Sequence, residues 1–215
     1  MRKASPIVLA MAAALCLAAT DKPTPKPTLG AKPPKGAIVL FDGTDTSKWV
    51  NAKMTPDGLL MAGARTKEAF GDCTIHLEFR IEPGKGGRRV SGNSGVYIQE
   101  RYEIQILNTY GQPPSKGGCG AIYRVKAPDV NAALPPGKWQ SYDITFHAPR
   151  WRGNKKIKNA RISVIHNGIK VHDDVEVPNK TGHGKPEGPE PRPLYLQYHG
   201  NVVHFRNIWL LPLRD

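Results

Sequence analysis

From Ala37 onward the chain alternates apolar and polar residues in short runs, and no ten-residue window carries apolar residues at helical spacing. Period-two alternation marks strands, whose side chains point to opposite faces in turn. The clearest run is CTIHLEFRIE at 73–82, where Ile75, Leu77, Phe79 and Ile81 alternate with His76, Glu78, Arg80 and Glu82. Further strands are expected over 37–41, 58–62, 94–99, 101–107, 120–124, 139–147, 160–166, 169–177, 194–199 and 202–211. Asn167-Gly168 separates two of these runs and is the strongest short-range hairpin signal available. The pattern predicts an all-β protein, an antiparallel two-sheet β-sandwich of the jelly-roll type, because about ten strands in roughly 180 residues fit two packed sheets better than a small barrel. Three long connections, 110–120, 126–138 and 181–193, interrupt it, and loops of that length in a compact domain carry mobility or function.

One stretch breaks the usual division of faces. In GNSGVYIQERYEIQIL, at 92–107, Val96, Ile98, Tyr102, Ile104 and Ile106 read as core, and the opposite face carries Asn93, Tyr97, Gln99, Glu103 and Gln105 without a lysine. LYLQYHG repeats the feature: Leu194, Leu196 and Tyr198 alternate inward against Tyr195, Gln197 and His199. In VVHFRNIWL, Val203, Phe205 and Trp209 are expected inward, with His204 and Arg206 outside. Asn93, Tyr97, Glu103, Gln105, Gln197, His199 and Arg206 would then share the outer face of one sheet. Planar amides, a carboxylate, an imidazole, a guanidinium and an aromatic ring suit a sugar, whose hydroxyls need paired donors and acceptors and whose ring stacks on aromatics. Each residue alone has a plainer reading. Glu103 opposite Arg206 is equally a cross-strand ion pair, Asn93-Ser94-Gly95 a turn or bulge, and His199 a strand-end histidine bonded to backbone.

Composition adds limits. The 215 residues are 39% hydrophobic, enough for one ordinary domain. Arg2 and Lys3 followed by IVLAMAAALCLAA have the layout of a secretory signal peptide over 1–19, and the apolar stretch is too short to span a membrane. Leu15 before Cys16 argues against a lipid anchor there, since a small residue is wanted. Residues 20–36 are a Pro/Lys-rich linker, and the domain occupies 37–215. With the leader removed, Cys73 and Cys119 are the two cysteines of an exported chain and are expected to form a disulfide, the alternative being two separate buried thiols. The net charge of +13 resides in Pro-, Gly- and Asn-rich stretches such as DKPTPKPTLGAKPPKG, GKGGRR and RWRGNKKIKNAR, with no basic helix or zinc pattern. It therefore reads as solvated loops and not as a nucleic-acid surface.

GNSGVYIQ, RYEIQILNTYG, CGAIYRVKAP, PPGKWQSYDITFHAP, ARISVIHNG and LYLQYHGNVVHFRNIWL occur in that order, after FDGTDTSKWV. Together they resemble the 3-keto-disaccharide hydrolase domain family over nearly all of residues 37–213. The resemblance implies a concanavalin A-like sandwich, export, and action on glycosides oxidised at C3. It also implies that Asn93, Glu103, Gln105, Gln197, His199 and Arg206 line a concave sheet. One position departs: many relatives resemble Gln-Asp-His where this chain has Gln197-Tyr198-His199. A C3 ketone acidifies the C2 proton, so a base can form an enolate that expels the C1 substituent, with water adding afterwards. The expected roles are His199 as base, Arg206 as donor to the enolate oxygen, Glu103 as acid or orienter, and Asn93, Tyr97, Gln105 and Gln197 as substrate-binding groups. No metal is required, although His199 and Glu103 together could hold a divalent ion. The rival reading is a non-catalytic carbohydrate-binding module, which would show a shallow aromatic platform in place of a titratable pocket. In both readings the partner is a carbohydrate, and the oligomeric state stays open.

Overall fold

The computed structural model describes Met1 and residues 28–213. The signal-peptide segment and the first part of the linker fall outside these, apart from Met1. Fourteen strands occur among the described residues, and no α-helix. In chain order they are β1 (Ile38–Phe41), β2 (Trp49–Val50), β3 (Leu60–Met61), β4 (Arg65–Phe70), β5 (Cys73–Ile81), β6 (Ser94–Ile98), β7 (Tyr102–Ile106), β8 (Gln140–His147), β9 (Arg150–Arg152), β10 (Lys155–Lys158), β11 (Ala160–His166), β12 (Ile169–Val177), β13 (Arg192–Leu196) and β14 (Val203–Pro212). One sheet runs β1-β14-β5-β8-β11-β12, with β3 also on β14; the other runs β2-β4-β13-β6-β7. All pairings are antiparallel, and the molecule is a two-sheet β-sandwich.

The inner faces hold the expected residues. Ile75, Leu77, Phe79 and Ile81 of β5 and Val96, Ile98, Tyr102, Ile104 and Ile106 of β6 and β7 all belong to one buried cluster. Asn167 and Gly168 turn β11 into β12 with φ of 52° and 81°, the double positive φ of a type I′ turn.

Several expectations need correction. Residues 120–124 are not a strand. They run beside β7, with Ala121 O accepting from Gln105 N at 3.0 Å and Tyr123 N donating to Glu103 O at 3.1 Å, but Val125 N folds back on Ile122 O at 2.9 Å. β4 carries only one buried residue, Thr66, so its sequence RTKEAF shows no apolar alternation. The basic segment at 150–158 is a two-stranded hairpin, β9-β10, rather than loop. Trp209 points outward and stacks on His76, with ring centroids 5.0 Å apart. A bulge between Arg206 and Trp209, with Asn207 at φ 46°, shifts the alternation by one residue and sends Ile208 and Leu210 inward instead.

Cys73 and Cys119 are free thiols, each buried, and the expected disulfide between them does not form. Cys119 Sγ lies 3.2 Å from the Tyr142 hydroxyl. Tyr142 pairs with Leu77, four residues along β5 from Cys73. Four strand residues span about 13 Å, beyond the reach of a disulfide. The end of the linker is also part of the domain. Thr28 Oγ1 and Ser141 Oγ share a hydrogen bond of 2.6 Å, Gly30 N donates to Glu78 Oε1 at 2.5 Å, and Ala31 O accepts from Asn207 Nδ2 at 3.1 Å and Trp209 Nε1 at 3.2 Å. Residues 28–31 thus form a strap over the outer face of the seven-stranded sheet.

Candidate active site

On the smaller sheet, strand register brings the polar residues of 92–107 together. Tyr97 of β6 pairs with Glu103 of β7, Gly95 with Gln105, and Tyr195 of β13 with Tyr97. Their shared face is not a solvent face, and that explains why it lacks lysine. Segment 117–126 and the loop from Thr181 to Gly184 cover it. Glu103 is 3% exposed, and Tyr97 and Gln105 are buried beside it. The Tyr97 hydroxyl donates to Glu103 Oε2 at 2.7 Å. With its amide turned to suit its neighbours, Gln105 donates to Ser94 O at 2.7 Å and to Glu103 Oε1 at 3.2 Å.

Two glycines make room for the carboxyl. A Cβ on Gly95 would lie 2.5 Å from Glu103 Oε1. At Gly182, with φ +45°, a Cβ would meet Glu103 Oε2 at 3.0 Å and the Tyr123 ring at 2.9 Å. Arg101 pins the loop that carries Gly182, donating through Nε to Pro186 O and through Nη1 to Glu190 O, each at 2.9 Å. Lys156 of the basic hairpin binds Glu187 of the same loop, and the Tyr102 hydroxyl donates to that carboxylate too.

Burial pushes the Glu103 carboxyl up. The Tyr97 hydrogen bond and the charges of His199 and Arg124 oppose this, and the balance is a pKa of about 7. His199 follows β13 on an exposed turn. Gln197 N donates to Gly95 O at 2.8 Å and Ser94 Oγ to Gln197 O at 2.7 Å, while Asn201 donates to His199 O at 2.9 Å and accepts from Ser91 and Gly92. These bonds hold the turn against the start of β6, where half-buried Asn93 stands on the same alternation as Gly95 and Tyr97. The Gln197 Oε1 atom is buried and has no partner, an acceptor waiting for a donor.

Arg206 is not in this site. Its Nε donates to Glu78 Oε2 at 2.7 Å and its guanidinium lies 4.0 Å from the Trp139 ring centroid, on the outer face of the other sheet. The expected Glu103–Arg206 pairing does not occur, because β14 belongs to the seven-stranded sheet. The cation near Glu103 is Arg124, with φ 63° and its guanidinium carbon 5.3 Å from the Tyr123 ring centroid. Sequence alternation gave no signal for it, since it sits on a turn. Tyr195 completes the face, 6.0 Å from the Tyr97 ring, with Arg65 5.5 Å from its own ring. Tyr198, expected in the core, is 60% exposed, because β13 ends at Leu196 and the chain turns.

Among the described residues no group of three or more His, Cys, Asp or Glu is arranged to hold a metal ion. A cleft of about 590 Å³ lies elsewhere, lined by His147, Arg150, Lys156, Lys158 and Arg161 among others. Arg150, Lys156 and Arg161 there have carboxylate partners in Asp72, Glu187, Asp174 and Glu176.

The sequence profile of the 3-keto-alpha-glucoside-1,2-lyase-like domain matches residues 36–211. The chain belongs to that family. A putative glycosyl hydrolase from Parabacteroides distasonis is 32% identical with a TM-score of 0.74, over 84% of this chain and 85% of that one. A second putative glycosyl hydrolase from the same organism is 25% identical with a TM-score of 0.57, over 82% of this chain and 99% of that one. The alginate lyase Aly36B shares the fold at 10% identity and a TM-score of 0.50, over 83% of this chain and 98% of that one. Comparison with curated proteins finds no match. Family and fold together make this a carbohydrate-active protein, and on the Glu103 face a buried carboxyl held near pKa 7 meets amides and aromatic rings.

Proposed function

We propose that the protein is an exported enzyme that cleaves the glycosidic bond of 3-keto-glycosides, 3-keto-disaccharides included. The observation that carries the proposal is the Glu103 carboxyl, buried under two loops and held at a pKa of about 7. A carbohydrate-binding platform has no need of a desolvated acid, whereas elimination from a 3-keto sugar needs a group that keeps its proton at neutral pH.

In this reading His199 takes the proton from C2, and the electron pair of the C2–H bond moves into the enolate of the C3 ketone. The Arg124 guanidinium stabilises the charge on that oxygen, the role the sequence alone assigned to Arg206. The enolate then expels the C1 substituent, the electrons of the C1–O bond leaving with the oxygen, and Glu103 supplies the proton that oxygen needs. Water adds across the resulting C1–C2 double bond, so that the sum is hydrolysis. Asn93, Gln105 and Gln197 position hydroxyls, with Gln197 Oε1 accepting one of them.

The test is incubation of a 3-keto-glucoside in heavy water. Deuterium at C2 of the sugar, with the unoxidised parent glycoside inert, is the expected outcome. Rapid cleavage of unoxidised glycosides, or cleavage of the keto sugar without deuterium at C2, would return Glu103 to the role of an ordinary glycosidase acid.

A further inference from the structure

Tyr198 is exposed immediately beside the residues that hold the sugar in the reaction proposed above, on which this inference rests. It follows Gln197, whose buried Oε1 lacks a donor, and precedes His199, whose charge acts on Glu103. Gln197 and His199 are its chain neighbours, each one Cα step of about 3.8 Å from Tyr198. The ring borders a cleft of about 560 Å³, inside the usual range for small-molecule sites. Its apolar lining is Ala52, Met61, Ala62 and Gly63, and its polar side chains are those of Asn51 and Lys53. Gly63 is backbone only at the closest approach: a Cβ there would stand 3.5 Å from the Tyr198 Cβ.

We infer that this cleft is the subsite for the leaving group, and that it takes a flat aryl aglycone stacked on Tyr198. A second pyranose would bring three or four hydroxyls, and two polar side chains cannot satisfy them all, whereas an aromatic ring needs only the apolar lining and the tyrosine face. The arrangement divides the substrate: the keto sugar lies over Glu103 with a hydroxyl on Gln197, and the phenolic ring lies beyond the turn.

Binding separates this from the chemistry. Phenyl and methyl glucosides, both unoxidised, are titrated calorimetrically into wild type, Tyr198→Ala, Tyr198→Phe and Glu103→Gln. A preference for phenyl over methyl of ~10-fold in wild type, kept in Tyr198→Phe and Glu103→Gln and lost in Tyr198→Ala, is the expected result. Since Tyr198 is largely exposed, the alanine variant should melt with wild type, and the phenylalanine variant controls for its hydroxyl. Equal binding of phenyl and methyl glucosides by wild type, or a phenyl preference that survives Tyr198→Ala, overturns the subsite. A Tyr198-dependent phenyl preference in a protein that leaves every 3-keto-glucoside intact upholds the subsite and removes the elimination reaction instead.

Discussion

Glu103 and Glu78 are both nearly inaccessible carboxyls, and their surroundings push them in opposite directions. At Glu78 burial also raises the pKa, but hydrogen bonds from His76, Asn207, Gly30 and Arg206 outweigh it and leave the group at about 2. Glu78 is therefore held as an anion, while Glu103 keeps a proton up to about pH 7, a distinction that no motif records. Glu103→Gln should lower turnover by 10² or more, and kcat/KM of the wild type should fall above about pH 7 as Glu103 loses its proton. Tyr97→Phe removes a bond that lowers that pKa, so it should move the alkaline limb to higher pH, read directly from the pH–rate profile. The two arginines give a sharper contrast. Arg124→Ala should slow turnover by roughly 10², with Arg124→Lys recovering only part because a point charge lacks the planar fork. Arg206→Ala should leave turnover within a few-fold and instead lower stability by about 1–3 kcal/mol in urea titration, since it strips a donor from the buried Glu78.

At the scale of elements, strands that pack a core were legible and those that bury little were not. β5, β6, β7, β11 and β12 announce themselves because one face is buried and the other is polar. β4 and the β9-β10 hairpin bury little, so their sequences read as charge and turn. The polar residues that share a face with Glu103 were legible except for the cation, because alternation says which face a residue takes within a strand and nothing about which sheet the strand joins. Arg206 and Glu103 have the right phase, but their strands lie in different sheets. The cysteine expectation failed for a related reason, since pairing by elimination ignores register. Alkylation without reductant should leave Cys73 and Cys119 unmodified in the native protein and modify both once it is unfolded, as peptide mass mapping would show; burial and the charge of Asp72 hold the Cys73 thiol at about 12, well above its reactive range. The hairpin divides likewise. Lys155→Gln and Lys158→Gln should leave kinetics within a few-fold, whereas Lys156→Gln frees Glu187 and should raise KM by loosening the loop over Glu103.

For the whole molecule, two buried groups set opposite slopes of stability against pH. Glu103 has a folded pKa of about 7, above its ordinary value of 4.5, so its stabilising contribution is complete below pH 4.5 and is lost as pH rises to about 7. His166, depressed by burial from 6.5 to about 3, contributes above pH 6.5 and loses that contribution as pH falls toward 3. The full swings are of the order of 3 kcal/mol for Glu103 and 5 kcal/mol for His166, and over the interval they share the two slopes oppose each other. Wild type should show a flat melting temperature between pH 4.5 and 6.5, while Glu103→Gln should show one that climbs with pH and exceeds wild type at pH 8. Calorimetry across that range checks both; a variant whose profile runs parallel to that of wild type would mean that the Glu103 carboxyl is not held near 7.

The strap at 28–31 fixes the side from which the preceding chain departs. It crosses the outer face of the seven-stranded sheet, over Glu78 and Trp209, and Glu103 lies on the outer face of the other sheet. The strap and the Glu103 carboxyl therefore stand on opposite sides of the sandwich, so that whatever grips residues 28–31 leaves the face of Glu103 uncovered.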